Sequence, residues 1–192
     1  MIKRELYMNR IRPFIGGELI KVMTGIRRSG KSVMLELIKE ELAEAGVAPS
    51  QMISINFEDM RYSHLQTATA LHDEIIKRAE GIEGKAYLFF DEIQEVEGWE
   101  KCVNSLRVAL DCDIYITGSN AKLLSGELAT YIGGRYVEFV IYPFSFAEFL
   151  ELYHTIAPSD SIQQCFQKYL LAGGMPYLAN LRYEEELSRQ YL

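Results

Sequence analysis

The chain contains few cysteines, and those present are not arranged as metal ligands. Cys102, Cys112 and Cys165 are the full set in 192 residues, an odd number without the short spacing of a zinc site. A disulfide framework is therefore not expected, and a reducing cytoplasm is the simplest location. The three histidines are equally scattered, so surface or core positions are expected for them.

Long apolar runs and an excess of positive charge are also missing. No stretch is long enough to span a bilayer, and residues 1–5 lack the apolar region of a secretory signal. A soluble protein without a membrane partner is expected. The formal net charge of −7 gives no overall attraction to nucleic acid, although a local basic patch is compatible with it.

What the sequence does have is a regular alternation of strand and helix patterns, the order that builds a parallel sheet covered by helices. Five strands are predicted, over residues 19–23, 52–57, 85–90, 113–117 and 135–142. After Pro143 only helical patterns remain, over residues 144–153, 161–171 and 184–192. The last pattern reaches the end of the chain with no capping or turn signal, which predicts a fragment of a longer natural protein.

Residues 25–32, Gly-Ile-Arg-Arg-Ser-Gly-Lys-Ser, join the first strand to a helix. This spacing is typical of a phosphate-binding loop, because its glycines let backbone N–H groups and the helix N-terminus converge on one anion. Lys31 would then reach the β- and γ-phosphates, and the Ser32 hydroxyl would bind Mg²⁺. Of the two loop arginines, one is a candidate for phosphate and the other for a neighbouring carboxylate. The predicted nucleotide-binding residues here are Gly25, Arg27, Arg28, Ser29, Gly30, Lys31, Ser32 and Val33.

The third predicted strand ends in two carboxylates, Asp91 and Glu92, at the position where open α/β sheets bind ligands. Asp91 is predicted to hold Mg²⁺, through water or together with Ser32, and Glu92 to orient and polarise the attacking water. A single acid would suit a nucleotide kinase or a GTPase. The Asp-Glu pair favours a hydrolysing ATPase in which an extra strand, necessarily the fourth, separates the loop strand from the acidic strand.

Two further segments supply candidates for contacts at the γ-phosphate. Residues 117–120, Thr-Gly-Ser-Asn, end the fourth strand beside the acidic one, so Ser119 and Asn120 are candidates to hydrogen-bond the phosphate or the water. Arg135 follows two glycines. It is a candidate to meet developing phosphoryl charge, in the same chain or across a subunit contact, with a surface salt bridge as the alternative.

Taken together, these residues resemble the AAA-like ATP-binding proteins of bacteria and archaea that carry an uncharacterised C-terminal domain, a group close to the STAND signalling ATPases and the archaeal ATPases. The combination of motifs is specific, since the phosphate loop alone occurs in many families. Besides the loop, the matching stretches are Asn-Phe-Glu-Asp at 56–59, Leu-Phe-Phe-Asp-Glu-Ile-Gln at 88–94, Thr-Gly-Ser-Asn-Ala-Lys-Leu-Leu at 117–124, Gly-Arg-Tyr at 134–136 and Tyr-Pro-Phe-Ser-Phe-Ala-Glu-Phe at 142–149.

The resemblance implies an α/β fold of the P-loop NTPase type: a three-layer sandwich around a mostly parallel five-stranded sheet, with the extra strand between the Walker A and Walker B strands. It also implies an ATPase core over residues 1–143 and the start of a helical lid over residues 144–192, truncated before the family's C-terminal domain. Pro176 would lie in the lid near the adenine. ATP and Mg²⁺ are the implied cofactors.

Three functions stay open on the sequence alone. The first is a Mg-dependent ATPase whose nucleotide state is coupled to the missing C-terminal domain; a weak ATPase activity of this fragment is compatible with it. The second is a nucleotide-dependent signalling switch with negligible turnover. The third is a nucleic-acid-associated motor or defence component, which the negative charge neither supports nor excludes. A homo-oligomer also stays open.

Overall fold

The computed structural model describes residues 2–118 and 133–191. In that part of the chain, five strands form one sheet in which every pair of neighbours runs parallel. The strands are β1, Ile20–Thr24; β2, Met52–Asn56; β3, Ala86–Asp91; β4, Cys112–Thr117; and β5, Tyr136–Val140. The helices are α1, Glu5–Ile11; α2, Lys31–Glu44; α3, Ala68–Ala79; α4, Trp99–Ala109; α5, Phe146–Tyr153; α6, Ile162–Ala172; and α7, Glu185–Tyr191.

The order of strands across the sheet is β2-β3-β4-β1-β5. β4 therefore lies between β1, which leads into the phosphate loop, and β3, which ends in Asp91. The prediction of an extra fourth strand between these two strands is confirmed, and with it the P-loop NTPase fold class. A nucleotide-kinase or GTPase core would have placed β1 and β3 side by side.

Helices cover both faces of the sheet and complete the three layers. On one face, α3 and α4 pack on side chains such as Ile55, Leu88 and Phe90. On the other face, α1 and α2 pack on Met23 and Phe89 among others. Every residue of β1 is buried, as expected for a strand inside a parallel sheet that is covered on both faces. Burial of its apolar side chains, Ile20, Val22 and Met23, contributes about 1.5–3 kcal/mol each.

Lys21 is the charged residue of β1. Its ammonium group is fully buried and pairs with Asp113 of β4, and it also donates to the Gly17 carbonyl at 3.2 Å. Asp113 in turn accepts from the Tyr115 hydroxyl and from the Gly16 N–H, both at 2.7 Å. Burial lowers the pKa of Lys21, an effect that the Asp113 carboxylate opposes. The pair ties the turn before β1 to the neighbouring strand.

Residues after β5 form their own apolar cluster around Phe149, Tyr153, Leu178 and Tyr183. The first of these helices, α5, begins at residue 146 rather than 144, because Ser145 caps it: the Ser145 N–H donates to the carboxylate three residues later at 2.8 Å. The division of the chain after residue 143 stays a prediction. Among the described helices, none is both long enough and apolar enough to cross a membrane.

Candidate functional site

The phosphate loop has a backbone that only glycine permits at its first position. Gly25 has a φ of 143°, and a Cβ on it would lie 2.2 Å from the Ile141 carbonyl oxygen. Gly30, with a φ of 100°, precedes the first helical residue of α2, and no side chain caps that helix end. The first N–H groups of α2 therefore point into the loop without a side-chain acceptor, which is the arrangement that binds anions.

Lys31 begins α2 and reaches back over the loop. Its side chain is only 4% exposed, and its ammonium group donates to the carbonyls of Gly25 at 3.4 Å and Ile26 at 3.3 Å. The ammonium nitrogen also lies 3.8 Å from Glu92 Oε1. The structure thus brings together the predicted phosphate-binding lysine and the predicted catalytic carboxylate.

Asp91 stands at the carboxyl end of β3 and is 6% exposed. Its oxygens accept from Asn56 Nδ2 at 3.1 Å and from the Thr117 hydroxyl at 2.5 Å. Burial raises the pKa of Asp91, and the Thr117 hydroxyl together with the nearby Ser32 hydroxyl opposes that rise. The predicted metal residues, Ser32 and Asp91, are therefore close to each other, and their hard oxygens suit Mg²⁺.

Thr117, at the end of β4, connects the two carboxylate residues. Its hydroxyl donates to Asp91 and accepts from the Glu92 N–H at 3.0 Å. No role was predicted for Thr117 or Asn56 from the sequence. The sequence carried a signal, because polar residues stand at the ends of three predicted strands. In the parallel register Asn56 pairs with Asp91 and Phe90 pairs with Ile116, which brings these three polar residues, Thr117 among them, to neighbouring strand ends.

Glu92 has a left-handed backbone, with a φ of 55°, an arrangement that costs about 1–3 kcal/mol and is concentrated at functional sites. Its Oε2 accepts from Gln94 Nε2 at 2.6 Å. Among the described residues, Gln94 Oε1 is buried and has no hydrogen-bond donor. The side chain of Glu92 is 18% exposed. One of its oxygens is therefore bound by the Gln94 amide, while the side chain still borders the space above the loop.

A cavity of about 700 Å³ opens above the loop. The loop and α2 lie on one side of it and residues 176–191 on the other, and a Cβ on Gly30 would lie 4.0 Å from Pro176 Cγ. Pro176 was predicted at this place; the neighbouring lid residues were not. The lining residues are Arg27, Arg28, Gly30, Lys31, Ser32, Val33, Glu58, Glu92, Pro176, Tyr177, Asn180 and Tyr191.

The two loop arginines differ in their contacts. The side chain of Arg27 is 85% exposed and lies 3.8 Å from a carboxylate oxygen of Glu58, an ion pair worth at most about 1 kcal/mol. Arg28 has a φ of 65°, and its guanidinium packs over the ring of Tyr191 at 5.3 Å. Both line the cavity, so both are within reach of a ligand there.

Arg135 is not at this site within the chain. Its carbonyl accepts from the N–H of Ile20, the first residue of β1, whereas the phosphate loop follows the last residue of β1. Arg135 therefore lies at the N-terminal ends of the strands, whereas the phosphate loop lies at their C-terminal ends. Its guanidinium donates to Asn104 Oδ1 at 2.7 Å. This corrects the expectation that it acts on phosphate in the same chain. Ser119 and Asn120 lie outside the described residues.

In residues 2–118 and 133–191, no group of three or more His, Cys, Asp or Glu side chains is placed to hold a metal ion. A magnesium ion at this site would therefore rely on Ser32, Asp91 and phosphate oxygens rather than on a cage of protein ligands. That ligand set is the usual one for Mg²⁺, which keeps several waters and binds through one or two carboxylates and substrate phosphates.

A family model described as "AAA domain" matches residues 18–150, more than half of the chain, and the chain belongs to that family. The fold and this match together define an AAA-type P-loop ATPase domain. An uncharacterized protein of Haemophilus influenzae is 44% identical over 176 residues, which cover 92% of this chain and 44% of that protein. The uncharacterized protein MJ1544 of Methanocaldococcus jannaschii is 35% identical over 185 residues, with coverages of 90% and 40%. The chain thus spans less than half the length of these relatives.

Solved structures share the fold at low sequence identity. AMPPCP-bound DnaA from Aquifex aeolicus superposes with a TM-score of 0.58 at 16% identity, over 100% of this chain and 61% of that one. Cdc6p from Pyrobaculum aerophilum gives 0.58 at 14% identity, over 96% and 59%. The Aeropyrum pernix ORC1 protein in complex with DNA gives 0.55 at 16% identity, over 100% and 65%. These likenesses show a common fold, in agreement with the AAA-like fold expected from the motifs.

Proposed function

We propose that this domain binds Mg-ATP at the phosphate loop and hydrolyses it. The observation that carries the proposal is the meeting of four groups at one end of the sheet: Ser32 beside Asp91, and the Lys31 ammonium 3.8 Å from Glu92 Oε1. A similarly folded protein, DnaA, was solved with AMPPCP bound. The relation is one of fold, so ATP as the ligand of this chain is part of the proposal.

Each group has a separate task in the reaction. The loop N–H groups and Lys31 bind the phosphates and stabilise the negative charge on the transferred phosphoryl group, which is where most catalysis of this reaction arises. Ser32 and Asp91 would hold Mg²⁺, which would supply positive charge to balance that of the phosphates. Glu92 accepts a hydrogen bond from the attacking water and orients it toward the phosphorus.

The remaining predicted residues surround this centre. The lid residue Pro176 and the neighbouring Tyr177 close the side of the cavity away from the acids, and we assign them to the adenine. For Ser119 and Asn120, hydrogen bonds to the γ-phosphate or the water stay a prediction from the sequence. Arg135 enters the reaction only if a neighbouring subunit presents it, because the phosphate loop of its own chain lies at the other end of the strands.

A second candidate, a nucleotide-dependent switch with negligible turnover, is favoured by the environment of Glu92. One carboxylate oxygen is bound by Gln94 at 2.6 Å, and the other lies 3.8 Å from Lys31. Both oxygens thus have partners inside the chain. A water molecule would have to compete with them for the carboxylate, which lowers the rate expected for hydrolysis.

One experiment separates the two candidates: phosphate release and ATP binding are measured with and without Mg²⁺ for the wild type and for Lys31→Ala and Glu92→Gln. Lys39→Ala, which removes an equal charge at an exposed pair on the same helix, is the control. An ATPase predicts that Lys31→Ala weakens binding about tenfold or more, and that Glu92→Gln binds ATP but loses about 10²–10⁴ in rate.

Lys31-dependent binding without turnover would establish the switch instead. A wild-type chain that does not bind ATP would contradict both candidates. For the longer protein, we propose that the nucleotide state controls the additional part that the relatives have outside this domain. We also propose that the longer protein acts in the cytoplasm. Since ORC1 was solved in complex with DNA, salt-sensitive DNA binding by the longer protein is the observation that would favour a nucleic-acid-associated role.

A further inference from the structure

Arg4 is a buried arginine at the junction of three distant segments. Its side chain is 1% exposed. Nε donates to Glu148 Oε1 of the lid helix α5 at 2.8 Å, Nη1 donates to the Ser29 carbonyl of the phosphate loop at 3.0 Å, and Nη2 donates to the Tyr142 carbonyl at 2.8 Å. Tyr142 belongs to the connection between β5 and the lid. One guanidinium therefore bonds the loop, the connection and the lid together.

The surroundings fix the position of this guanidinium. It lies over the rings of Tyr7 at 4.6 Å and Phe144 at 5.1 Å. The Tyr7 hydroxyl accepts from the Tyr142 N–H at 3.1 Å, so the first helix also holds the connection directly. Arg4 itself has a left-handed backbone, with a φ of 47°. Such an arrangement persists only where surrounding contacts enforce it.

The carboxylate partner is built into the start of the lid. Glu148 accepts from Arg4 and also from the N–H and hydroxyl of Ser145 at 2.8 and 3.0 Å, as part of the cap of α5. A movement of α5 relative to the core would break the ion pair and leave a buried charge without its partner. Removing one partner of a buried pair is strongly unfavourable, so the lid has one favoured position relative to Arg4.

Arg4 also lies directly against the phosphate loop. A Cβ on Gly30 would be 3.3 Å from Arg4 Nη1. The hydrogen bond from Arg4 to the Ser29 carbonyl fixes Ser29, which follows the two arginines of the loop and precedes Gly30. The direction of the Ser29 carbonyl sets the direction of the next peptide N–H, which belongs to Gly30. The conformation of the anion-binding N–H groups thus depends on a side chain that is also bonded to the lid.

We propose that Arg4 is a positioning residue of the nucleotide site, which couples the phosphate loop to the first lid helix and thereby lets the position of the lid set nucleotide affinity. The inference rests on the proposed binding of ATP. Coupling between two sites is reciprocal in free energy, so occupancy of the loop also stabilises the position in which Glu148 meets Arg4.

The test compares Arg4→Lys, Arg4→Gln and Glu148→Gln with the control Arg12→Gln. Arg12 lies in the same N-terminal segment, and its ion pairs, with Glu5 at 2.7 Å and Glu41 at 2.8 Å, are to α1 and α2 rather than to the loop or the lid. Calorimetry gives the Kd for Mg-ATP at a temperature at which circular dichroism shows each variant folded. Hydrogen exchange of the peptide that contains residues 25–32 is measured without nucleotide.

Coupling predicts that Arg4→Gln and Glu148→Gln raise the Kd about fivefold or more, with faster exchange in the loop peptide, while Arg12→Gln leaves both unchanged. Arg4→Lys keeps the charge but not the three-way fork, so it is expected to stay folded and still raise the Kd. A purely structural Arg4 would lower the melting temperature in these variants and leave the Kd and loop exchange as in the wild type, which overturns the proposal.

The exchange measurement keeps this inference separate from the proposed function. If the wild-type chain does not bind ATP but Glu148→Gln still speeds exchange in the loop, the ATPase and switch proposals fail while the link between loop and lid stands. If loop exchange in Glu148→Gln equals that in Arg12→Gln, the link itself is refuted whatever the chain binds.

Discussion

Replacing Thr117 with valine tests whether one hydroxyl orients both acids of the site. Thr117 is fully buried, donates to Asp91 at 2.5 Å and accepts from the Glu92 N–H at 3.0 Å. Valine has nearly the same volume but no hydroxyl. The change therefore removes two hydrogen bonds without opening a large cavity, and it takes away the partner of a backbone N–H in a partly buried position.

The expected cost follows from those two bonds. A hydrogen bond to a charged group contributes about 1.5–3 kcal/mol, and leaving a buried N–H without a partner costs about 1–3 kcal/mol. Allowing for partial relaxation, Thr117→Val is expected to lower the free energy of unfolding by about 2–4 kcal/mol. Turnover is expected to fall roughly tenfold or more, because small displacements of Asp91 and Glu92 are costly in an oriented site.

Thr117→Ser is the matched control, since it keeps the hydroxyl and loses one methyl group, at a cost of about 1 kcal/mol. Urea denaturation gives the free energies of unfolding, and phosphate release gives the rates. If the valine and serine variants have the same stability and the same rate, the Thr117 hydroxyl neither connects nor orients the two acids.

Two further outcomes are expected at the start of the lid. Gly174→Ala should lower the free energy of unfolding in urea by about 3 kcal/mol through overpacking and a lost hydrogen bond, because its Cβ would lie 2.1 Å from the Phe144 carbonyl oxygen. Gly173→Ala, with open space but a φ of 74° and a ψ of −171°, should cost about 1–3 kcal/mol through backbone strain alone; an unchanged stability of Gly174→Ala would contradict the close approach. Burial raises the pKa of Glu148, but the hydrogen bonds from Arg4 and Ser145 outweigh it, so the pKa lies below 4.5. The stability advantage of wild type over Glu148→Gln should therefore be complete above pH 4.5 and shrink as the pH falls through the lowered pKa, whereas a constant difference in acid titrations of stability would refute this ion pair.

The position of β4 between β1 and β3 could be predicted from the sequence because it follows from chemistry carried by a few residues. The loop at residues 25–32 identified β1, and the Asp91-Glu92 pair favoured a hydrolase core with a strand inserted between β1 and β3. Both inferences use local patterns. The closeness of Ser32 to Asp91 also follows from local patterns, while their binding of Mg²⁺ stays a prediction.

The error at Arg135 has a geometric cause. Its closeness to the glycines at 133 and 134 suggested a loop beside the phosphates, but Arg135 comes just before β5 rather than after it. In a parallel sheet the N-terminal ends of all strands lie on one side and the C-terminal ends on the other, and five residues span about 16 Å. The position of Arg135 before the strand, rather than its neighbours in sequence, decides on which side it lies.

The connection through Arg4 could not be predicted, because its partner Glu148 is 144 residues away. From the sequence, the N-terminal segment shows only mixed basic and apolar residues before Pro13. Gln94 was missed for a different reason: it lies in a matched stretch, but its contact with Glu92 depends on the left-handed backbone at Glu92, which no local pattern indicated.

The strand order also governs the timing of assembly on the ribosome. β1 emerges early, yet both of its neighbours in the sheet, β4 and β5, are made much later, and the buried partner of Lys21 lies 92 residues further along. At about 5–20 residues per second, that distance corresponds to several seconds or more of synthesis. During that interval β1 has neither of its neighbours in the sheet, so an apolar strand without partners is open to misassociation although the phosphate loop that follows it has already been made.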